Sequence, residues 1–148
     1  MYRRLSNKKK EERTVKLQIN ESKIMEGKLL LFDDMPEDSG MVVLELEVND
    51  LHFSGTHDDC FSALVELRKQ LEKANIQIIC NGTAQNIYPS AMQFSMGNTR
   101  KAYKTFLGRQ ARMADMVDIF DCEEDLQFAS IDEQLQFNKK WIGSIYKH

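Results

Sequence analysis

The sequence predicts an α+β fold: a mainly antiparallel mixed sheet with two principal helices packed on one face. Three observations predict it. Several short stretches alternate apolar and polar residues, the period of a half-buried strand. Two longer stretches repeat their apolar residues at steps of three and four, each behind a capping sequence. The helical stretches are also too few to supply the crossovers of a doubly wound parallel sheet.

Size and composition fit that class. The chain has 148 residues, 42% hydrophobic and 29% charged, the balance of one soluble domain whose core forms without disulfides or a structural metal. Residues 14–148 are expected to form a single α+β domain behind a basic, flexible leader of residues 1–13. Apolar runs are only a few residues long and none follows the basic N-terminus. Neither a membrane span nor a signal peptide is therefore expected, and the chain reads as cytoplasmic. Cys60, Cys80 and Cys122 are odd in number and far apart, which suits reduced thiols rather than a disulfide framework or a metal motif.

Charge is unevenly spread. Residues 1–16 carry seven basic side chains against Glu11 and Glu12, so the net −3 of the chain leaves −8 on the remainder. A basic arm of this kind can contact phosphates, but a short charged terminus is more commonly just solvated, so nucleic-acid binding is the lesser reading.

The elements follow in order. "TVKLQIN" alternates Val15, Leu17 and Ile19 with polar residues, and "KLLLF" (28–32) is apolar enough for a covered strand. "DDMPEDSG" (33–40), with Pro36 and Gly40, is an exposed acidic loop. "MVVLELEVNDLHFSG" puts Val42, Leu44, Leu46 and Val48 on one face. Asn49-Asp50 then makes either a tight hairpin turn or a point on one bent strand. Thr56 and Asp59 resemble a capping box, which starts a helix near His57. Its stripe is Cys60, Leu64, Leu67 and Leu71, with Arg68 and Lys69 turned outward, and Ala74-Asn75 ends it.

"IQIIC" is the next strand, and Asn81-Gly82 follows it as a turn favouring positive φ. Pro89 opens a short helix that brings Met92 and Met96 inward and stops at Gly97-Asn98. "RKAYKTFLG" and "MVDIFD" supply two more strands. Ser130 and Glu133 form a full capping box for a last helix whose stripe runs Ile131, Gln134/Leu135, Asn138, Trp141/Ile142 and Ile145 and packs on the sheet through Trp141.

Two places are candidates for function. The loop at the end of the isoleucine-rich strand gathers Cys80, Asn81, Gly82, Tyr88 and Ser90, and its amides are placed to accept an anion. A catalytic cysteine needs a base, and His52, His57 and His148 bear no spacing that brings them to Cys80. Cys80 therefore reads first as a core residue and Tyr88 as a tyrosine at a core edge. Ser90 lacks the flanking glycines of a nucleophile elbow. The second place is an acidic partner surface of Asp118, Asp121, Glu123, Glu124 and Asp125. No octahedral ligand set or phosphate loop accompanies it, so neither a metal nor a cofactor is called for.

The blocks "ALVELRKQLEKANIQIICNG", "NIYPSAM", "MGNTRKAYKTFLG", "MVDIFD" and "DEQLQFNKKWIGSI" resemble an uncharacterised family of small bacterial proteins with Cys-Asn-Gly, Tyr-Pro-Ser-Gly-Met and Val-Asp-Ile-Phe-Asp blocks. The resemblance spans roughly residues 50–145, with Ala91 where that family commonly has glycine. It implies a small cytoplasmic bacterial domain and carries over no activity, cofactor or catalytic residue. The expected function is noncatalytic interaction with a protein partner of basic character, toxin neutralisation as an immunity protein being one form. The alternative is a small enzyme or ligand-binding domain centred on Cys80, Asn81, Tyr88 and Ser90.

Overall fold

The alternation of residues 9–57 becomes a four-strand antiparallel meander in the computed structural model, which describes residues 9–33 and 40–146. The chain divides into two units, residues 1–78 and 79–148. In the first, β1 (Lys9–Ile19), β2 (Lys23–Asp33), β3 (Val42–Val48) and β4 (Leu51–His57) are joined by β5 (Ile76–Ile79) in the order β4-β3-β2-β1-β5. The β1 strand thus begins inside the basic leader, with Lys9 to Arg13 paired against Asp33 to Leu29. Residues 1–8 of that leader and 34–39 of the acidic loop lie outside the described residues.

Turn chemistry sets the register. Asn20 and Glu21 sit at φ 53° and 64°, and the amide of Ser22 donates to the Ile19 carbonyl, which closes the β1–β2 hairpin. Asn49, at φ 54°, turns β3 into β4 with Val48 opposite Leu51, so the hairpin is the form adopted. This register places Leu29 opposite Leu46 and Leu31 opposite Leu44, all four buried on one face. Helix α1 (Cys60–Lys73) lies against β3 and β4 through Phe61, Leu64, Leu67 and Leu71.

Its start and its outward face both differ from expectation. Thr56 belongs to β4, paired with Val43, and Asp59 is itself the N-cap, accepting from the Ser62 amide at 2.8 Å. Arg68 is only 2% exposed: four residues beyond Leu64, it falls on the covered face. Asn75, at φ 59°, ends the helix as its sequence implied.

The second unit holds a three-stranded antiparallel sheet, β6 (Ile87–Tyr88), β7 (Lys101–Lys104) and β8 (Met116–Asp118) in that order. A short helix α2 (Ala91–Ser95) and the long α3 (Ile131–Ile145) complete it. The α+β class and its antiparallel pairing are thus present, with the strands shared between two sheets. Ser130 and Glu133 make the capping box of α3 through bonds of 3.1 and 2.9 Å.

Helix α2 is shorter than its sequence suggested and turned the other way. Its N-cap is Ser90, so Pro89 precedes the cap, and Gly97 at φ 67° follows its end. Met92 and Met96 are 70% and 72% exposed, because the buried member of this single turn is Gln93, which closes the capping box on Ser90.

Candidate functional site

The polar run after β5 is a structural clasp. Asn81–Thr83 form a right-handed 3₁₀ turn instead of the positive-φ turn expected of Asn-Gly. The Thr83 hydroxyl donates to the Cys80 carbonyl at 3.0 Å. Asn81 is fully buried; its Nδ2 donates to the Asp118 carbonyl and its Oδ1 accepts from the Glu123 amide, both at 2.8 Å. The backbone amides of Asn81 and Gly82 donate to the carbonyls of Asp121 and Ile119. The amides expected to receive an anion are therefore spent on the chain itself.

One side chain closes the clasp from the other side. Nε2 of Gln134, 1% exposed on α3, donates to the carbonyls of Gly82, Ala84 and Ile87 at 2.9, 2.9 and 3.0 Å. It gives these buried carbonyls of an irregular backbone a side-chain donor. Cys80 is 1% exposed, and among the described residues of this unit, 79–146, there is no histidine beside it.

Tyr88 and Ser90, by contrast, reach a cleft. Two adjoining lobes of about 410 and 480 Å³ lie between the β6–α2 segment and the C-terminal half of α3, sharing Tyr88, Ser90, Asn138 and Trp141 among their lining residues. This is the range of small-molecule sites. Tyr88 is held at 55° to the Phe94 ring, with centroids 5.9 Å apart. Ser90 Oγ accepts from the Gln93 amide as a cap, which fixes it in the rim.

Trp141 forms one wall rather than a plug in the sheet. Its Nε1 donates to the Arg109 carbonyl at 2.9 Å, and Ser144, which receives the Gly108 amide at 2.8 Å, donates to the Trp141 carbonyl. These bonds hold the 106–112 loop against α3. The helix meets the sheet chiefly at β6, and Gln134 is its buried residue.

Asn138, Gln110, Tyr103 and Tyr146 also line the cleft, and the sequence reading passed them by. The legible signal was a stripe of α3 that carries Gln134 and Asn138 where a core-facing helix would carry leucine.

The acidic candidates divide. Asp118 is committed: Arg100 Nε donates to Oδ2 at 3.0 Å and the Phe120 amide to Oδ1 at 2.9 Å. Glu123 pairs with Lys104 at 3.2 Å, while Asp121, Glu124 and Asp125 stay exposed. Residues 79–148 hold eight basic and eight acidic side chains, so the −8 of the body belongs to residues 17–78.

Among the described residues, His57, Asp58 and Asp59 bring ligand atoms within 4.8 Å of one another. Asp59 there caps α1 through Ser62, and the positive end of a helix disfavours a cation. No helix among the described residues is long and apolar enough to cross a membrane. No protein-family model matches this sequence, and no curated protein is significantly similar to it.

Proposed function

We infer that this protein acts by binding rather than by catalysis, and that its contact face is the cleft between Tyr88 and Trp141. One observation carries the reading. The residues that would make a reactive loop, Cys80, Asn81 and Gly82, are buried and hydrogen-bonded into the fold, while the aromatic residues beside them open on a cleft. A buried thiol with no imidazole among the described residues of its unit lacks the access and the neighbouring base that favour chemistry at sulfur. Aromatic side chains in a partly exposed cleft supply large contact area at low entropic cost. Neutralising a toxin is one task such a protein performs by binding alone.

Thiol labelling tests this. Cys122 is exposed and Cys80 buried, so a thiol reagent should modify Cys122 first and reach Cys80 only as the fold opens. Fast modification of Cys80 that a ligand protects against would place a reactive centre there and refute the binding reading.

A further inference from the structure

We propose that the cleft takes an uncharged saccharide, held by stacking on Trp141 and Tyr88 and by hydrogen bonds to the amides of Asn138 and Gln110. This rests on the reading of the cleft as the contact face and adds the class of ligand.

Charge decides first. Among the described residues that line the two lobes there is no Asp, Glu, Lys, Arg or His. A phosphate, carboxylate or ammonium group entering the cleft would lose water without gaining a counter-charge from these residues. The complement of a charge-free lining is a neutral occupant that brings its own hydrogen-bonding groups.

Hydrogen-bond inventory decides second. The indole N–H of Trp141 is committed to the Arg109 carbonyl, so the ring offers its face and not a donor. The side chains of Asn138 and Gln110 line the cleft and make no hydrogen bond within the described residues. Each offers a donor and an acceptor. Neighbouring hydroxyls of a sugar satisfy both halves of such an amide, and the C–H face of a pyranose packs on the electron-rich face of an aromatic ring. A proline-rich peptide, the other common guest of Tyr/Trp clefts, presents carbonyl acceptors but few N–H groups. It would strand the acceptor halves of both amides and miss the indole donor that such peptides use.

Trp141 is the only tryptophan in the chain, so its emission reports on the cleft directly. The full-length protein would be titrated with neutral hexasaccharides of β-1,4-glucose, β-1,4-N-acetylglucosamine and α-1,4-glucose, and separately with a decaproline peptide. At least one saccharide should give a saturable change in emission. Asn138→Leu, which removes the amide and leaves the fold's recorded hydrogen bonds intact, should weaken that saccharide about tenfold, the scale of one lost hydrogen bond. Saturation by the peptide alone overturns the saccharide assignment and leaves the binding cleft standing. Silence toward both overturns the saccharide assignment and counts against the cleft as the contact face, provided far-ultraviolet dichroism shows the protein folded. Saccharide binding that Asn138→Leu leaves unchanged overturns the proposed hydrogen bonding.

Discussion

Asn81 and Gln134 each do with one amide what a sheet ladder does elsewhere, hydrogen-bonding buried backbone groups of an irregular segment. Asn81→Ala removes two bonds at once and leaves the 118–123 segment held by the backbone amides of residues 81 and 82 and by Arg100. It should lower unfolding free energy by about 1–3 kcal/mol, the cost of buried groups left unpaired, measured as a fall in the denaturant midpoint. Hydrogen exchange should then speed at Glu123, whose amide loses its acceptor. Gln134→Ala removes the shared side-chain donor to the carbonyls of Gly82, Ala84 and Ile87 and should cost a similar amount, whereas exposed Gln136 changed to alanine should shift the midpoint little. An equal shift for both glutamines would show that water satisfies those carbonyls.

At the scale of elements, the packing of α1 on β4 depends on one missing side chain. A Cβ placed on Gly55 would lie 2.3 Å from the Leu67 amide nitrogen and 2.5 Å from the Ala63 carbonyl oxygen, backbone atoms that cannot swing aside. Gly55→Val should therefore push the helix off the strand and destabilise by roughly 1–3 kcal/mol or more, read by chemical denaturation. Gly27 is a milder case, since its nearest neighbour at 2.9 Å is the flexible Leu17 Cδ1.

The same scale shows what the sequence made legible. Strong periodicity located β1 to β3, α1 and α3, because burying one face imposes a repeat that local residues display. The cap of α1 was displaced by three residues, since Thr56 and Asp59 both fit the pattern and only the pairing of Thr56 with Val43 decides between them. At the site, Tyr88 and Ser90 were found as a polar-aromatic loop. Asn138, Gln110 and Tyr146 were not, because they meet only after α3 folds back on β6. Cys80, Asn81 and Gly82 looked functional since turn chemistry and binding chemistry use the same side chains.

For the molecule as a whole, charge and chemistry occupy different units. Residues 17–78 carry the acidic excess and residues 79–148 balance to zero. An oligolysine probe should perturb amide resonances within residues 17–78, leave the 118–125 segment largely unchanged, and weaken as salt shortens the screening length from about 10 Å at 0.1 M. Strongest perturbation at Asp121, Glu124 and Asp125 would restore the acidic loop as the partner surface.

The Ser54 amide lies on β4, the outermost strand of its sheet, and donates at 3.3 Å to the Gln70 side chain of α1. An open β-edge is an invitation to a neighbouring chain. Here one glutamine of the neighbouring helix occupies a donor that a foreign strand would seek. The fold therefore guards itself against self-templating in a crowded solution, and shortening residue 70 should show its effect in fibril seeding well before it shows in melting temperature.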